Sequence, residues 1–378
     1  MTRFLPRTFW QWVFTAIMIA GAWATYVRVF HGLGGSTNLN DQFPWGLWIG
    51  FDVLCGVGLA AGGFTLAAIV HIFNIKDFKP VVRPAILTAF LGYLLVVVGL
   101  MFDLGQPQRI WHLLIYHNIH SPLFEIGWCV MLYTTVLALE FSPVVFDALG
   151  MKAPVKILRA STIPLIIAGI PLSTLHQSTL GTMLTILPYR IHPLWYSPLF
   201  PFYFFLTAVA AGMAMTVFES YHSARTYGYP FELKLVSSLT KYVPYVLGLY
   251  LVVRMTELFV TGNIRLLLAN GAPAVLFIIE IIGGVLVPIL FFADPKTRND
   301  QDGITWAAFF TMGGLILNRM NASLIFMEGA LYFPSLWELA VSIGLTCLGI
   351  IMYDAAVRIL PILPETKKSR LVQDYKQL

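Results

Sequence analysis

Long apolar runs separated by short polar stretches fill this chain from end to end. Ten of them reach the roughly 20 residues that a helix needs to cross a bilayer. Their limits are near 9–30, 44–74, 84–103, 122–146, 157–180, 199–222, 236–260, 273–293, 304–325 and 336–360. No polar stretch between them is long enough for a separate domain. The pattern therefore predicts a single polytopic, all-α integral membrane domain over residues 1–378 with about ten transmembrane helices.

Prolines and run lengths refine these predicted helices. Pro44, Pro84, Pro122 and Pro273 stand at or near helix starts, where a missing N–H costs little. The second run is long for one crossing, which predicts a helix that is tilted or extends past the bilayer. Two arginines precede the first run, as in a signal peptide. However, its apolar stretch is longer than a signal peptide's and contains three tryptophans, so we expect a retained helix.

Composition excludes the soluble classes of protein. Hydrophobic residues make up 58% of the 378 residues and charged residues 11%, and the mean hydropathy is +0.75. A soluble domain has about a quarter charged residues, so this chain has too few to cover a surface in water. The net charge of +5 comes from basic residues spread among short loops, which argues against a nucleic-acid partner. Lipid is the expected surrounding.

Lysine and arginine are distributed unequally between the two sides of the predicted membrane domain. Of the 24 basic residues, eighteen fall on the side that holds both termini, and the other six are Arg28, Arg109, Arg190, Arg254, Arg265 and Arg319. Because cytoplasmic loops are enriched in these residues, both termini are expected in the cytoplasm of a cell inner membrane. The loops expected to face outward lie near 31–43, 104–121, 181–198, 261–272 and 326–335.

Ligands for metal centres are scarce in this sequence. The three cysteines stand singly inside apolar runs, so disulfides, zinc sites and cysteine-held iron–sulfur clusters lack ligands. A b-type haem needs two histidines at matched depth. His71 and His222 both lie near the cytoplasmic end and keep that alternative open, whereas His176 has no partner at its depth. We expect no metal, haem or cluster in this chain, and hence an electron source in another subunit.

Titratable side chains inside apolar runs are costly and mark function by default. The predicted topology places eight of them in the outer half of the membrane, on seven helices: Asp52, Asp103, Glu125, His176, Arg254, Glu257, Glu280 and Arg319. The alternative is that some are structural ion pairs, above all Arg254, Glu257 and Arg319. Asp52 and His176 have no basic neighbour in sequence, which favours a functional role for both.

Three carboxylates in the inner half form a second group. Glu140, Glu219 and Asp354 are candidate residues for a proton path from the cytoplasm, as carboxylate chains are in pumps. They also lie near inner helix ends, where solvated carboxylates are ordinary. The sequence leaves both interpretations open.

Several short stretches, spread over nearly the whole chain, match one family in order. They include FPWGLWIGFD at Phe43–Asp52, LALEFSP at Leu137–Pro143, HQSTLG at His176–Gly181, YFPSLWEL at Tyr332–Leu339 and RILPILP at Arg358–Pro364. With them the chain resembles the NrfD (polysulfide-reductase-type) membrane subunits of respiratory oxidoreductases, most closely the HybB-type subunits of [NiFe] hydrogenases.

The resemblance implies an architecture and a function. It implies two packed four-helix bundles, formed by predicted helices 2–5 and 6–9, with helices 1 and 10 flanking them. It also implies a menaquinone or ubiquinone bound near the periplasmic face, and no haem or cluster in this chain. The implied partners are a periplasmic ferredoxin-like iron–sulfur subunit and the large and small subunits of a [NiFe] hydrogenase.

A quinone site needs hydrogen-bond donors and a group that exchanges protons. We therefore assign His176, Asp52, Asp103 and Glu125 to quinone binding. Arg254, Glu257, Glu280 and Arg319 form a second polar cluster that is a candidate for proton transfer. The expected function is quinone-coupled electron transfer, with coupling to proton movement left open.

The alternative function is a proton- or cation-coupled secondary transporter, a class that often uses broken helices at mid-membrane. The pairs Gly62–Gly63, Gly283–Gly284 and Gly313–Gly314 are consistent with such breaks, and equally with close helix packing.

Overall fold

The computed structural model describes residues 9–269, 271–327 and 332–363. It contains ten long helices: α1 (Phe9–Ser36), α2 (Trp48–Ile72), α3 (Lys79–Asp103), α4 (Pro122–Ala148), α5 (Thr162–Thr185), α6 (Phe200–Tyr227), α7 (Leu233–Val260), α8 (Ala272–Ala293), α9 (Gln301–Met320, continued by Asn321–Ile325) and α10 (Leu336–Ile359). Within the described residues, nine are long and apolar enough to cross a membrane. The exception, α9, has the length of a span but contains Asp302, Asn318 and Arg319. No β-strand occurs in these ranges, so the predicted all-α fold is confirmed.

Two of the predicted helices begin elsewhere than expected. The third begins at Lys79 with Pro80 in its first turn, where the N–H groups are unpaired and proline is tolerated, so Pro84 lies inside the helix rather than at its start. The fifth run divides into a short basic helix, Lys152–Ala160, and α5, which begins at Thr162. The hydropathy pattern merged the two because apolar residues continue across their junction.

The second helix, α2, is interrupted rather than simply long. Its first and last turns, Trp48–Val53 and Ala68–Ile72, are π-helical, and a turn at Ala60–Ala61 breaks its middle. Such wide turns shift the direction of side chains relative to a regular helix and recur at functional sites. The span thus begins at Trp48, four residues after the start of the apolar run.

Glycine pairs bring helices into backbone contact. A Cβ atom placed on Gly62 of α2 would lie 2.9 Å from the carbonyl oxygen of Gly212 in α6. One placed on Gly284 of α8 would lie 2.3 Å from the Cα of Gly314 in α9. Small residues permit this approach between membrane helices. Close packing therefore accounts for Gly62, Gly284 and Gly314.

The helices pack as two groups of four. Helices α2, α3, α4 and α5 contact one another in a ring, which we call the first bundle. Helices α6, α7, α8 and α9 form the second bundle, and α2 and α5 join the two bundles through contacts with α6. The outlying α1 packs along α10, which in turn packs against α3. This arrangement matches the one that the family resemblance implies.

Candidate functional site

A large cavity lies within the first bundle at the end where α3 ends and α4 begins. We call this the outer end, following the predicted orientation, and we call the cavity, of about 670 Å³, the outer cavity. Apolar residues from all four helices form its walls: Val53, Val96, Leu100, Val130, Leu180 and Met183. The segment between α3 and α4 adds a polar rim: Gln106, Arg109, His112, Tyr116, Asn118 and Ser121. The site thus combines an apolar interior with polar groups at its mouth.

His176 lies directly beneath this cavity. It is fully buried on α5, four residues before Leu180, which corresponds to about 6 Å along the helix. Its Nδ1 lies 3.1 Å from the Tyr93 hydroxyl, whereas its Nε2 has no hydrogen-bond partner. The Tyr93 ring packs edge-on against Tyr133, with ring centroids 4.7 Å apart. A buried imidazole nitrogen without a hydrogen bond is rare because it is energetically unfavourable, and ligand binding or proton exchange at this nitrogen would explain it.

Asp103 and Glu125 lie near the outer ends of α3 and α4, but neither side chain lines the outer cavity. Asp103 is the last residue of α3, and its Oδ1 is buried without a hydrogen-bond partner. The adjacent carbonyls of Phe102 and Leu104 each accept a 2.7 Å hydrogen bond from Arg28, which closes the end of the helix. Glu125 is exposed on α4 and accepts a hydrogen bond of 2.8 Å from the Thr179 hydroxyl. Asp103 lies beside the backbone of Gly46 and the side chains of Glu338 and Arg28, whereas Glu125 follows Phe124, which lines the cavity.

Asp52 faces a different cavity. Its Oδ2 accepts a 2.5 Å hydrogen bond from Ser342 of α10, and it borders a void of about 470 Å³ between α2, α3, α6 and α10. We call this void the lateral cavity. The next residue, Val53, lines the outer cavity instead, because consecutive helical side chains point in different directions. The structure therefore separates Asp52 from His176, which the sequence had grouped in one site.

The second polar cluster begins with an ion pair at the outer end of α7. Arg254 and Glu257 approach to 2.5 Å, and both are nearly buried. Glu257 also accepts hydrogen bonds from Ser197 at 2.5 Å and from the Tyr203 hydroxyl at 2.8 Å. Arg254 donates to the carbonyl oxygen of Leu194. The pair thus anchors the segment before α6 to α7.

Glu280 and Arg319 complete this cluster through a shared neighbour. Glu280 accepts hydrogen bonds of 2.7 Å from Trp195 and 2.7 Å from the amide of Asn318, whose oxygen accepts one of 2.6 Å from Arg319. Arg319 also donates to Thr207 at 2.8 Å. The void beside Glu280 has about 10 Å³, which holds one water at most. The geometry is that of a closed network without room for a large ligand.

The inner carboxylates lie at two separate helix contacts. Glu219 of α6 accepts hydrogen bonds of 2.8 Å from both Thr88 and Tyr353. Asp354 of α10 pairs with Arg358 at 2.7 Å and accepts from Tyr227 at 2.9 Å. Both therefore lie where α6 meets α10.

Glu140, in contrast, lies on α4 beside α5, where a Cβ atom on Gly169 would come within 4.0 Å of its Oε1. The three proposed relay residues thus do not share one helix contact.

The sequence analysis missed the polar rim of the outer cavity. Arg109 and His112 belong to a short 3₁₀-helix, Pro107–Leu114, that the hydropathy pattern treated as a loop. The available signal was the charge distribution, since Arg109 is one of the six basic residues on the sparsely charged side.

A buried carboxylate on α10 was also missed. Glu338 accepts hydrogen bonds from the backbone of Ser335 at 2.8 Å and of Asn38 at 3.1 Å, and one from the Tyr332 hydroxyl. Burial, aided by that hydrogen bond, raises the pKa of Tyr332. Glu338 thus fixes the loop after α1 to the start of α10.

Known proteins provide a comparison for this fold and site. The family model described as polysulphide reductase, NrfD, matches residues 35–330. The chain is 36% identical over 353 residues to the probable Ni/Fe-hydrogenase 2 b-type cytochrome subunit of Escherichia coli K12, covering 90% of this chain and 89% of that protein. It is 28% identical over 389 residues to the menaquinone reductase integral membrane subunit of Nitratidesulfovibrio vulgaris Hildenborough, covering 91% and 92%. The chain is therefore a multi-pass membrane protein that belongs to the polysulphide reductase NrfD family.

Proposed function

We propose that this chain is the quinone-binding membrane subunit of a respiratory oxidoreductase. It would exchange electrons between a periplasmic iron–sulfur subunit and the menaquinone or ubiquinone pool. The observation that carries the proposal is the outer cavity, whose 670 Å³ lies within the range of about 300–1,000 Å³ typical of small-molecule sites. Its relatives include subunits named for menaquinone reductase and for a Ni/Fe-hydrogenase, which supports the same reading.

The residues around the outer cavity fit a quinone. When bound, a quinone takes up two electrons and two protons on reduction. The apolar walls suit its ring and prenyl chain, while Arg109 and Gln106 at the rim can donate hydrogen bonds to its carbonyl oxygens. His176 Nε2 is buried and unpartnered one turn below Leu180, Asp103 Oδ1 is buried and unpartnered at the end of α3, and Glu125 is exposed next to Phe124 of the cavity lining. We propose that these three residues hold or exchange the protons.

Exposed apolar residues beside the cavity support a docking role for the same face. Trp111 is 51% exposed, Tyr116 66% and Ile119 78%, all within the segment that forms the rim. We propose that a ferredoxin-like iron–sulfur subunit covers this segment, with hydrogenase large and small subunits upstream of it. We also propose that this chain itself holds no haem. The buried His176 contacts Tyr93 rather than a second histidine.

Photoaffinity labelling tests the site directly. We expect a short-chain quinone with a photoreactive tail to label peptides from residues 104–130 and 180–183 when added oxidised to the purified protein in lipid nanodiscs. Excess unlabelled quinone should remove the label, and Val130→Trp, which fills the cavity, should lower it about tenfold by excluding the ring. Leu132→Trp, on the exposed side of α4, is the matched control and should leave it unchanged. Labelling of the outer cavity that competitor quinone does not reduce would refute the proposal.

The proposed orientation, with both termini in the cytoplasm of the cell inner membrane, has its own test. Cysteine in place of Tyr189, which is 88% exposed in the loop after α5, should react with a membrane-impermeant thiol reagent in intact spheroplasts. Cysteine at Asp77, exposed between α2 and α3, should react only after lysis, because the two positions lie on opposite sides. The three native cysteines are buried and serve as the low background. Reaction at position 77 but not at 189 in intact spheroplasts would invert the orientation.

A further inference from the structure

The lateral cavity, which the proposed function does not use, extends along α10 and has most of its polar residues at one end. It follows α10 from Leu345 to Tyr353, eight residues or about 12 Å along the helix. Leucine, methionine and isoleucine side chains line most of its length. Most of its polar groups lie at the inner end, where Glu219, His222 and Ser223 of α6 meet Tyr353, while Asp52 stands alone near the outer end. Such a shape fits a molecule with a polar head and an apolar chain.

The charged residues that line the lateral cavity indicate which kind of ligand head group it can bind. Two carboxylate residues, Asp52 and Glu219, line it, and its described lining includes no lysine or arginine. A phospholipid phosphate would find no cationic partner here and would approach two acidic groups in a medium of low polarity, which is unfavourable. A neutral head group on an apolar chain avoids this cost.

The inner end offers hydrogen-bond acceptors, while its hydroxyl donors are engaged. The Phe218 carbonyl oxygen can only accept, so the 2.8 Å contact requires a proton on Nδ1 of His222. In the neutral ring, Nε2 is then an acceptor. The hydroxyls of Thr88 and Tyr353 both donate to Glu219 at 2.8 Å, and each carboxylate oxygen keeps a further lone pair. A hydroquinone donates two O–H groups, whereas an oxidised quinone only accepts.

We propose that the lateral cavity is a second quinone site, which prefers the reduced, hydroxyl-bearing form. The head group donates to Nε2 of His222 and to Glu219, and the prenyl chain lies along α10 toward Asp52. The outer cavity has the opposite character, since Arg109 and Gln106 at its rim are donors suited to an oxidised quinone. The inference depends on the proposed function only for the class of ligand: Val96 borders both cavities, but residues 215–223 and 345–353 line the lateral cavity alone.

Redox-dependent labelling tests this second site. The purified protein in nanodiscs is exposed to the photoreactive quinone, either oxidised or reduced beforehand. We expect the reduced probe to label peptides from residues 215–223 and 345–353 at least about fivefold more than the oxidised probe. Thr346→Phe, which fills the cavity from α10, should remove this label and leave labelling of the outer cavity intact. The matched control Ile343→Phe, on the exposed side of α10, should change neither.

A second variant keeps the test decisive if Thr346→Phe fails to assemble. His222 is exposed near the end of α6, so His222→Phe keeps a ring while it removes the Nε2 acceptor and the Nδ1–H bond to the Phe218 carbonyl oxygen. It should erase the preference for the reduced probe. The inference would be overturned if the lateral cavity were not labelled. It would also be overturned if the labelling were the same for the oxidised and reduced probes and unchanged in both variants. If the outer cavity is still labelled in that case, the proposed function stands; loss of labelling at both cavities would contradict both.

Discussion

The complex with His176→Ala should assemble but transfer electrons to quinone at least about a hundredfold more slowly than the wild type, because an orienting or proton-exchanging group is lost. The expectation rests on the position of His176 one turn beneath the outer cavity, with Nδ1 held by Tyr93 and Nε2 free. Electron transfer from the partner subunits to a soluble artificial acceptor should persist, since that route bypasses this chain. The measurement is quinone reduction per assembled complex, with the soluble-acceptor rate as reference.

A neighbouring residue provides the control for His176. Gln177 is equally buried on α5, but its Nε2 donates a 3.0 Å hydrogen bond to the Val57 carbonyl oxygen. Gln177→Leu should therefore lower the amount of assembled complex while the surviving complex turns over normally. Should His176→Ala behave in the same way, His176 would be a structural residue, and the site would have to be built from the rim residues alone.

The Glu280→Ala variant should accumulate poorly, with a loss of stability of about 3–5 kcal/mol, as for other buried charge networks that lose one member. Removal of the Glu280 carboxylate leaves the N–H donors of Trp195, Asn318 and Asn321 unpaired. It also removes a negative charge from the network that contains buried Arg319. The loss should appear as less assembled complex and a lower melting temperature in detergent. Turnover per surviving complex should be normal.

A matched pair of variants separates a structural role from proton transfer in this cluster. Glu280→Gln keeps the shape but turns one acceptor into a donor that faces other donors, so its stability should lie between the wild type and the alanine variant. The outcome that would contradict a structural role is normal assembly of Glu280→Gln with slow quinone turnover. That result would favour the proton-transfer function expected from the sequence.

Hydropathy predicted the ten helices because the apolar length needed to cross a bilayer is a local property of the chain. It did not predict how each helix is rotated. In a membrane protein the lipid-facing and the buried sides of a helix are both apolar, so the pattern has no strong directional signal. Asp52 and Val53 illustrate the consequence: they are adjacent in sequence, yet they border different cavities.

Long-range partners were also beyond the sequence. The amide of Asn318 joins Glu280 to Arg319. Sequence spacing does not reveal this link, because Glu280 lies on a different helix from the other two residues. The rim residue Arg109 was visible in the charge distribution, but its relation to the cavity depends on how the segment after α3 folds back. Counting charges along the sequence singled out Arg109, but only the packed structure shows that it borders the outer cavity.

The contact between Gly62 and Gly212 limits how the two bundles can move. There the backbones of α2 and α6 touch directly: a Cβ atom on Gly212 would lie 2.6 Å from the amide nitrogen of Gly62. Rocking one bundle against the other, as alternating-access transporters do, would have to open this contact. Because no side chain separates the two backbones, a rearrangement that parts the bundles would lose this packing, which favours movement of ligands and protons within a fixed helical frame.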